Sequence, residues 1–191
     1  MLSLPGSPAH SEFRLRKLEQ QLSAAGITVN GLSSHFIHLV DAPDNNLAEA
    51  QRTILRNLLT YGPAQDSTPV NGKEFYVVPR PGTISPWASK ATDIAHNCGL
   101  RQVNRIERGI LYTVDTADEV PVELLHDRMI EVVFTNLDDC AALFQTHQPR
   151  PLSEIDTGTQ GRAALAQANI DLGLALSPDE IDYLVEAYAE L

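Results

Sequence analysis

Four side chains that can donate hydrogen bonds to an anion lie close together in one short stretch of the chain. They are Arg80, Thr83, Ser85 and Lys90. Guanidinium, hydroxyl and ammonium groups grouped in this way are typical of a phosphate or carboxylate site, and the backbone N–H groups of residues 83–87 would add further donors. A second interpretation is a rigid turn that seats Trp87 and docks the domain on a partner. The residues alone leave both interpretations open.

The elements around this stretch would hold it at the start of a helix. Residues 74–78 predict a strand, and two prolines with Gly82 predict a tight turn after it. Ser85 followed by proline predicts a helix start, and Gly99 predicts its end. A glycine turn between a strand and a helix N-terminus can bind an anion, because unpaired N–H groups point at it.

Other motifs that carry catalysis or metal binding are not found. The sequence has no P-loop, nucleophile elbow or His-Glu-x-x-His motif. His35 and His38 are three residues apart on a predicted strand, so they point to opposite faces and cannot chelate one metal there. His96 and Cys98 lack two further ligands nearby. We therefore expect no catalytic residue, metal site or cofactor within this chain.

The charge of the chain is acidic overall but basic around the polar stretch. The net charge is −11, which argues against nucleic acid and anionic membranes as partners. Residues 73–108 carry six basic and three acidic side chains. This local excess suits a small anion or an acidic partner face, although arginines that extend from a strand edge would produce the same count. There is no signal peptide or apolar span, so we expect a cytoplasmic protein with reduced thiols.

The order of predicted elements repeats once along the chain. The first half is predicted as an opening strand at residues 2–4, a helix from Ser7-Pro8 to Gly26, and a strand over 27–41. A helix with a capping box at Asn46 and Glu49 follows. In the second half the helix from Ser85 precedes strands over 103–114 and 129–134. Alternating residues match at a constant offset of 74, from 29 to 103 and from 44 to 118.

This duplication predicts an α+β fold of two ferredoxin-like halves, with antiparallel sheets covered by helices. We expect this N-terminal domain to span 1–145, with a proline-rich linker over 146–158 and the start of a helical domain over 159–191. A capping box at Ser177 predicts the last helix. No sequence after that helix covers its apolar stripe, so we expect the native chain to continue past Leu191.

Four segments resemble the N-terminal region of phosphoribosylformylglycinamidine synthases. The longest reads PRPGTISPWASKATDI, with Ala88 where the family usually has serine, and the others are HNCGL, VNRIERG and HDRM, at residues 79–94, 96–100, 103–109 and 126–129. The similarity extends over nearly the whole chain. It implies a non-catalytic N-terminal domain similar to a fused dimer of the small subunit of split enzymes.

The resemblance also implies a function for the complete enzyme. It would convert formylglycinamide ribonucleotide to the amidine with ATP, magnesium and glutamine, all bound by catalytic and glutaminase domains of the same polypeptide. In such an enzyme the turn with Arg80, Gly82, Thr83, Ser85, Trp87 and Lys90 would face the catalytic core. The alternative is a free-standing ferredoxin-like module that binds a small molecule or acts as an adaptor.

Overall fold

The computed structural model describes residues 1–43, 47–62, 70–146 and 151–189. The chain divides into two units, Met1–His147 and Gln148–Leu191. The larger unit contains every described strand and the candidate site, and the smaller unit contains two helices.

A single five-stranded sheet forms the centre of the larger unit. All its neighbouring strands are antiparallel, and their order is β1-β2-β4-β3-β5. The strands are β1 (Leu2–Pro8), β2 (Gly31–Asp41), β3 (Lys73–Pro79), β4 (Arg105–Asp115) and β5 (Glu131–Phe134). The predicted α+β class is confirmed, but the two halves share one continuous sheet, because the long strands β2 and β4 pair with each other along their full length.

Helices cover one face of this sheet. They are α1 (Glu12–Ala24), α2 (Glu49–Leu59) and α3 (Pro86–Asn97). Alternate residues of the central strands, such as Leu32 and Val40 on β2, pack beneath them. The opposite face buries Ile37 and Leu39, partly beneath a 3-10 segment at Leu137–Phe144. Both faces are therefore covered, which explains why β2 contains few exposed residues.

The two halves use the same turn before their long strand. The N–H of Asn30 donates to the carbonyl oxygen of Asp115, and the N–H of Asn104 donates to that of Asp41, both at 2.8 Å. Asn30 and Asn104 are equivalent at the offset of 74 predicted from the sequence, as are Asp41 and Asp115. The repeat therefore corresponds to two equivalent halves, each of which donates the same hydrogen bond to the other.

The predicted start of α1 is wrong. Ser7-Pro8 ends β1 instead of starting α1, because β1 is an edge strand, where a proline removes no hydrogen bond that the sheet needs. The N-cap of α1 is Ser11. The N-cap of α2 is Ala48, with Gln51 reaching back to its N–H, while the predicted cap Asn46 lies outside the described residues.

The smaller unit consists of α4 (Thr157–Asp171) and α5 (Pro178–Ala189). The predicted linker is described at residue 146 and from residue 151, and α4 begins within it. The predicted capping box at Ser177 is confirmed, since its N–H donates to Glu180 and its hydroxyl accepts from the Glu180 N–H. None of the helices in the described ranges has both the length and the apolar character needed to cross a membrane.

Candidate functional site

The start of α3 is capped by a buried carboxylate as well as by its own serine. The Ser85 hydroxyl accepts from the Ala88 N–H at 3.0 Å and donates to Oε2 of Glu107 at 2.8 Å. The Ser85 N–H donates to Oε1 of Glu107 at 3.4 Å. Glu107 lies on β4 and is fully buried. The N-terminus of α3 is therefore occupied by an acidic side chain of the chain itself.

Burial raises the pKa of Glu107, and hydrogen bonds from Ser85 and the nearby Arg105 guanidinium oppose that rise. Nε of Arg105 lies 3.7 Å from Oε1. Burial thus favours the protonated form of Glu107, while Ser85 and Arg105 stabilise its charged form.

The turn between β3 and α3 is closed by its own polar groups. The Thr83 hydroxyl donates to the Arg80 carbonyl at 2.6 Å, and the Thr83 N–H donates to the same oxygen at 3.1 Å. Gly82 has φ +86°, a conformation that a residue with a Cβ rarely adopts. The Thr83 and Ser85 hydroxyls, both expected to contact an anion, are thus already engaged within the chain.

β3 and β4 approach each other closely at Gly109, where their pairing ends before the turn. β3 separates from β4 after the Val77–Ile110 pair. At this point a Cβ on Gly109 would lie 2.7 Å from the Val77 carbonyl oxygen, closer than packed atoms approach. The glycine at 109 therefore lets the β3 backbone lie close to β4 where their pairing ends, just before the turn.

Arg108 lies between two aromatic rings beside the turn. Its guanidinium carbon is 4.4 Å from the ring centre of Phe36 and 4.9 Å from that of Trp87. One of its N–H groups donates to the Tyr61 hydroxyl at 3.3 Å. Stacking on two rings holds the guanidinium in a fixed position.

His38, on the neighbouring strand β2, completes a cluster with Arg108, Phe36, Trp87 and Tyr61. It is 0% exposed, its Nε2 shares a hydrogen bond of 2.8 Å with the Tyr61 hydroxyl, and its ring stacks on Trp87 at 5.7 Å. Burial, and then the Arg108 charge, lower the pKa of His38 to about 4. His38 is therefore neutral at neutral pH, and Arg108 carries the positive charge of the cluster.

The turn, together with Arg108 and Trp87 of the cluster, lines one groove of about 620 Å³. Arg80, Gly82, Thr83, Ser85 and Trp87 are brought together there as predicted from the sequence, and they are joined by Arg108, Glu131 and three exposed apolar side chains, Ile84, Met129 and Ile130.

Lys90 lies elsewhere. It lines a smaller, apolar groove of about 250 Å³ between α2 and α3, together with Leu58, Ile94 and Trp87. Trp87 is shared by the two grooves because its ring lies between them. Lys90 therefore shares a groove with Trp87 but not with the other four predicted site residues.

Sequence reasoning missed Arg108, His38 and Tyr61. Each comes from an element distant in sequence, so no local spacing joined them. A signal was available in the strand pattern, because Phe36 and His38 share a face of β2 with Arg108 on the neighbouring strand. A charged residue on the helix-covered face of a central strand needs a polar or aromatic partner.

The arrangement favours binding over covalent chemistry. Burial raises the pKa of the Cys140 thiol to about 11, so this thiol is not a nucleophile at neutral pH. Across the described parts of the chain, no three His, Cys, Asp or Glu side chains are close enough to hold a metal ion. The groups that remain available in the groove are the Arg80 and Arg108 guanidinium groups, the Glu131 carboxylate and an apolar rim.

A comparison with known families agrees with the resemblance noted in the sequence. Residues 35–144 match the family described as formylglycinamide ribonucleotide amidotransferase N-terminal. The match includes the turn, α3, β4 and the Met129–Ile130 segment, and so covers most of the groove. Because it also covers more than half of the chain, the protein belongs to the family of formylglycinamide ribonucleotide amidotransferase N-terminal domains.

Proposed function

We propose that this chain is the docking region on which the catalytic part of an amidotransferase assembles in de novo purine biosynthesis. The complete enzyme would convert formylglycinamide ribonucleotide to formylglycinamidine ribonucleotide in the cytoplasm. It would bind ATP, magnesium and glutamine in catalytic and glutaminase domains on the same polypeptide. The chain described here would contribute no catalytic group. The family match supports this enzyme over a free-standing adaptor.

The observation that carries the proposal is the exposed apolar rim of the groove. Ile84, Met129 and Ile130 are 62%, 78% and 63% exposed, and all three line the same groove beside Arg80. Apolar side chains grouped in this way, with polar groups at the edge, are typical of a surface that another protein segment covers. The engaged Thr83 and Ser85 hydroxyls argue against a cradle for a free anion.

The test uses the full-length enzyme that carries this chain. Ile84→Ser with Met129→Ser removes the exposed apolar contacts without touching the core. We expect glutamine-dependent amidation to fall at least about tenfold, because burying two such side chains contributes several kcal/mol to an interface. Glutaminase turnover and ATP binding, measured separately, should change much less. The control is Arg101→Gln, an exposed charge outside the groove.

Two single variants test which of the two grooves is the docking surface. Arg80→Ala removes a rim charge of the larger groove, and Lys90→Ala removes one from the smaller groove. Docking through the larger groove predicts a greater loss of amidation from Arg80→Ala. Full amidation by the Ile84/Met129 double variant and by Arg80→Ala would refute docking at this groove.

A further inference from the structure

Arg108 is a charged group that lacks a carboxylate partner in the described part of the chain. Its contacts are the Phe36 ring, the Trp87 ring and the Tyr61 hydroxyl, all of them uncharged. The described ion pairs of the chain involve other arginines. Glu131 lines the same groove, and its carboxylate accepts from the Asp127 N–H at 2.9 Å, but no ion pair joins it to Arg108 among the described residues. Within the described ranges, the Arg108 guanidinium is therefore a fixed positive charge with no ion-pair partner.

Because aromatic rings hold the Arg108 guanidinium in place, a partner that covers it without offering a hydrogen-bond acceptor would bind unfavourably. Arg80 is exposed and can turn toward water when a partner approaches. Arg108 cannot do so as freely, because its guanidinium lies between Phe36 and Trp87. Burying an unpaired charge is strongly unfavourable, so a segment that covers this groove must bring an anionic group to Arg108.

The surroundings favour a carboxylate side chain of a protein segment over a free phosphate. The helix N-terminus beside the groove is already occupied by Glu107, and the Thr83 and Ser85 hydroxyls are engaged. The rim carries exposed Ile84, Met129 and Ile130, which suit apolar side chains next to the anion. Arg108 can bind both oxygens of a carboxylate through the N–H groups that the rings leave open.

We propose that Arg108 is the receptor for an Asp or Glu side chain carried by an otherwise apolar segment of the catalytic part of the same polypeptide. This inference rests on the proposed docking function. It identifies the chemistry of the segment that the groove accepts, a single carboxylate flanked by apolar residues.

The first experiment measures coupling in the full-length enzyme. Arg108→Gln removes the charge, and Arg108→Lys keeps it while losing the paired N–H groups. We expect amidation to fall at least about tenfold in Arg108→Gln and less in Arg108→Lys. Both variants are first compared with wild type by circular dichroism and thermal melting, and Arg101→Gln is the matched arginine control.

The second experiment identifies the partner group. A purine-requiring host that depends on the full-length enzyme with Arg108→Glu is selected for growth without purine. Suppressors that replace an Asp or Glu of the catalytic part with Lys or Arg are the expected result. Suppressors confined to other residue types would refute a carboxylate as the partner of Arg108. If Arg108→Glu proves unfolded, the same selection starts from Arg108→Gln, and suppressors should replace the unpaired acid with a neutral residue.

A third measurement separates a free phosphate ligand from the proposed carboxylate. Trp87 is the only tryptophan of the chain and touches Arg108, so its fluorescence reports on the groove. Saturable quenching by micromolar inorganic phosphate or AMP that is lost in Arg108→Gln would overturn the inference. If the Ile84/Met129 variant loses amidation while the Arg108 variants keep it, only this inference fails. If all of them keep it, the docking function fails as well.

Discussion

Phe36 and Ile110 face each other directly across the two central strands, and they are also equivalent positions of the repeat. The register of β2 and β4 pairs Phe36 with Ile110, and the offset of 74 relates the same two residues. A two-fold axis relating the halves therefore passes through this pair. The fold can be understood as two copies of one unit joined along their long strands, and this relationship supplies internal controls for several predictions.

The two helix caps related by this axis should differ in their contribution to stability. Ser85 and Ser11 are both N-caps at the offset of 74, but only the Ser85 side chain accepts a cap hydrogen bond and contacts Glu107. Ser85→Ala should lower the free energy of unfolding by about 2–4 kcal/mol, from the lost cap and the less satisfied buried carboxylate. Ser11→Ala should change it by less than about 0.5 kcal/mol. Urea unfolding of both variants is the measurement, and equal losses would contradict the prediction.

Glu107 should make the chain less stable as the pH rises. The pKa of this buried carboxyl is raised in the folded state, so the folded chain holds its proton more tightly than the unfolded chain does. Stability should therefore fall as the pH rises from 4.5, the ordinary pKa of a glutamate side chain, through the raised pKa of Glu107. In Glu107→Gln this fall should be absent, and the variant should gain relative to wild type with increasing pH. Unfolding free energies measured from pH 4 to 8 test this, and parallel curves would disprove it.

His38 should have the opposite effect to Glu107 and make the chain less stable as the pH falls. Its pKa is lowered from 6.5 to about 4, so the unfolded chain takes up the proton first on acidification. Its contribution is complete above pH 6.5 and is lost as the pH falls toward 4, by about 3 kcal/mol in all. His38→Gln keeps a polar side chain at this position but does not titrate, and it should lack this acid-dependent loss. NMR titration of the His38 ring is the direct check, and a midpoint near 6.5 in the folded chain would contradict the prediction.

Gly82 should tolerate asparagine better than valine. Its φ of +86° strains a β-branched residue, whereas asparagine adopts positive φ more readily. Gly82→Val should lower the free energy of unfolding by about 1–3 kcal/mol, and Gly82→Asn by less than about 1 kcal/mol. Thermal melts of the two variants against wild type decide this. A valine variant as stable as the asparagine variant would show that the turn relaxes.

The fold was more predictable from the sequence than the site. The repeat, the strands and the Ser85 cap followed from alternation and capping chemistry, which act over a few residues. The start of α1 was wrong because Ser7-Pro8 has a strong local signal that the pairing of β1 with β2 overrides. Moving the cap to Ser11 brings α1 onto the same offset of 74 as the strands.

The site was only partly predictable because its charges are set by contacts between distant segments. The turn residues Arg80 to Trp87 are local and were found together. The partners of Ser85 and Trp87 are Glu107, Arg108 and His38, which the sheet brings close, and no spacing in the sequence indicates that contact. Lys90, which the sequence grouped with the turn, follows Trp87 on α3 by about one helical turn and lines the smaller groove, which it shares with Trp87 alone among the predicted site residues.

The two-fold repeat does not extend to the groove. The counterpart of Arg108 in the first half is Ser34, and that of Trp87 is Phe13, which is 77% exposed. Met129 and Ile130 precede β5, a strand that extends the sheet on the β3 side only. A symmetric pair of identical subunits would present two equal grooves and accept a partner in either orientation. In the proposed docking function, the difference between the two halves would leave one groove, which would accept one partner in one orientation.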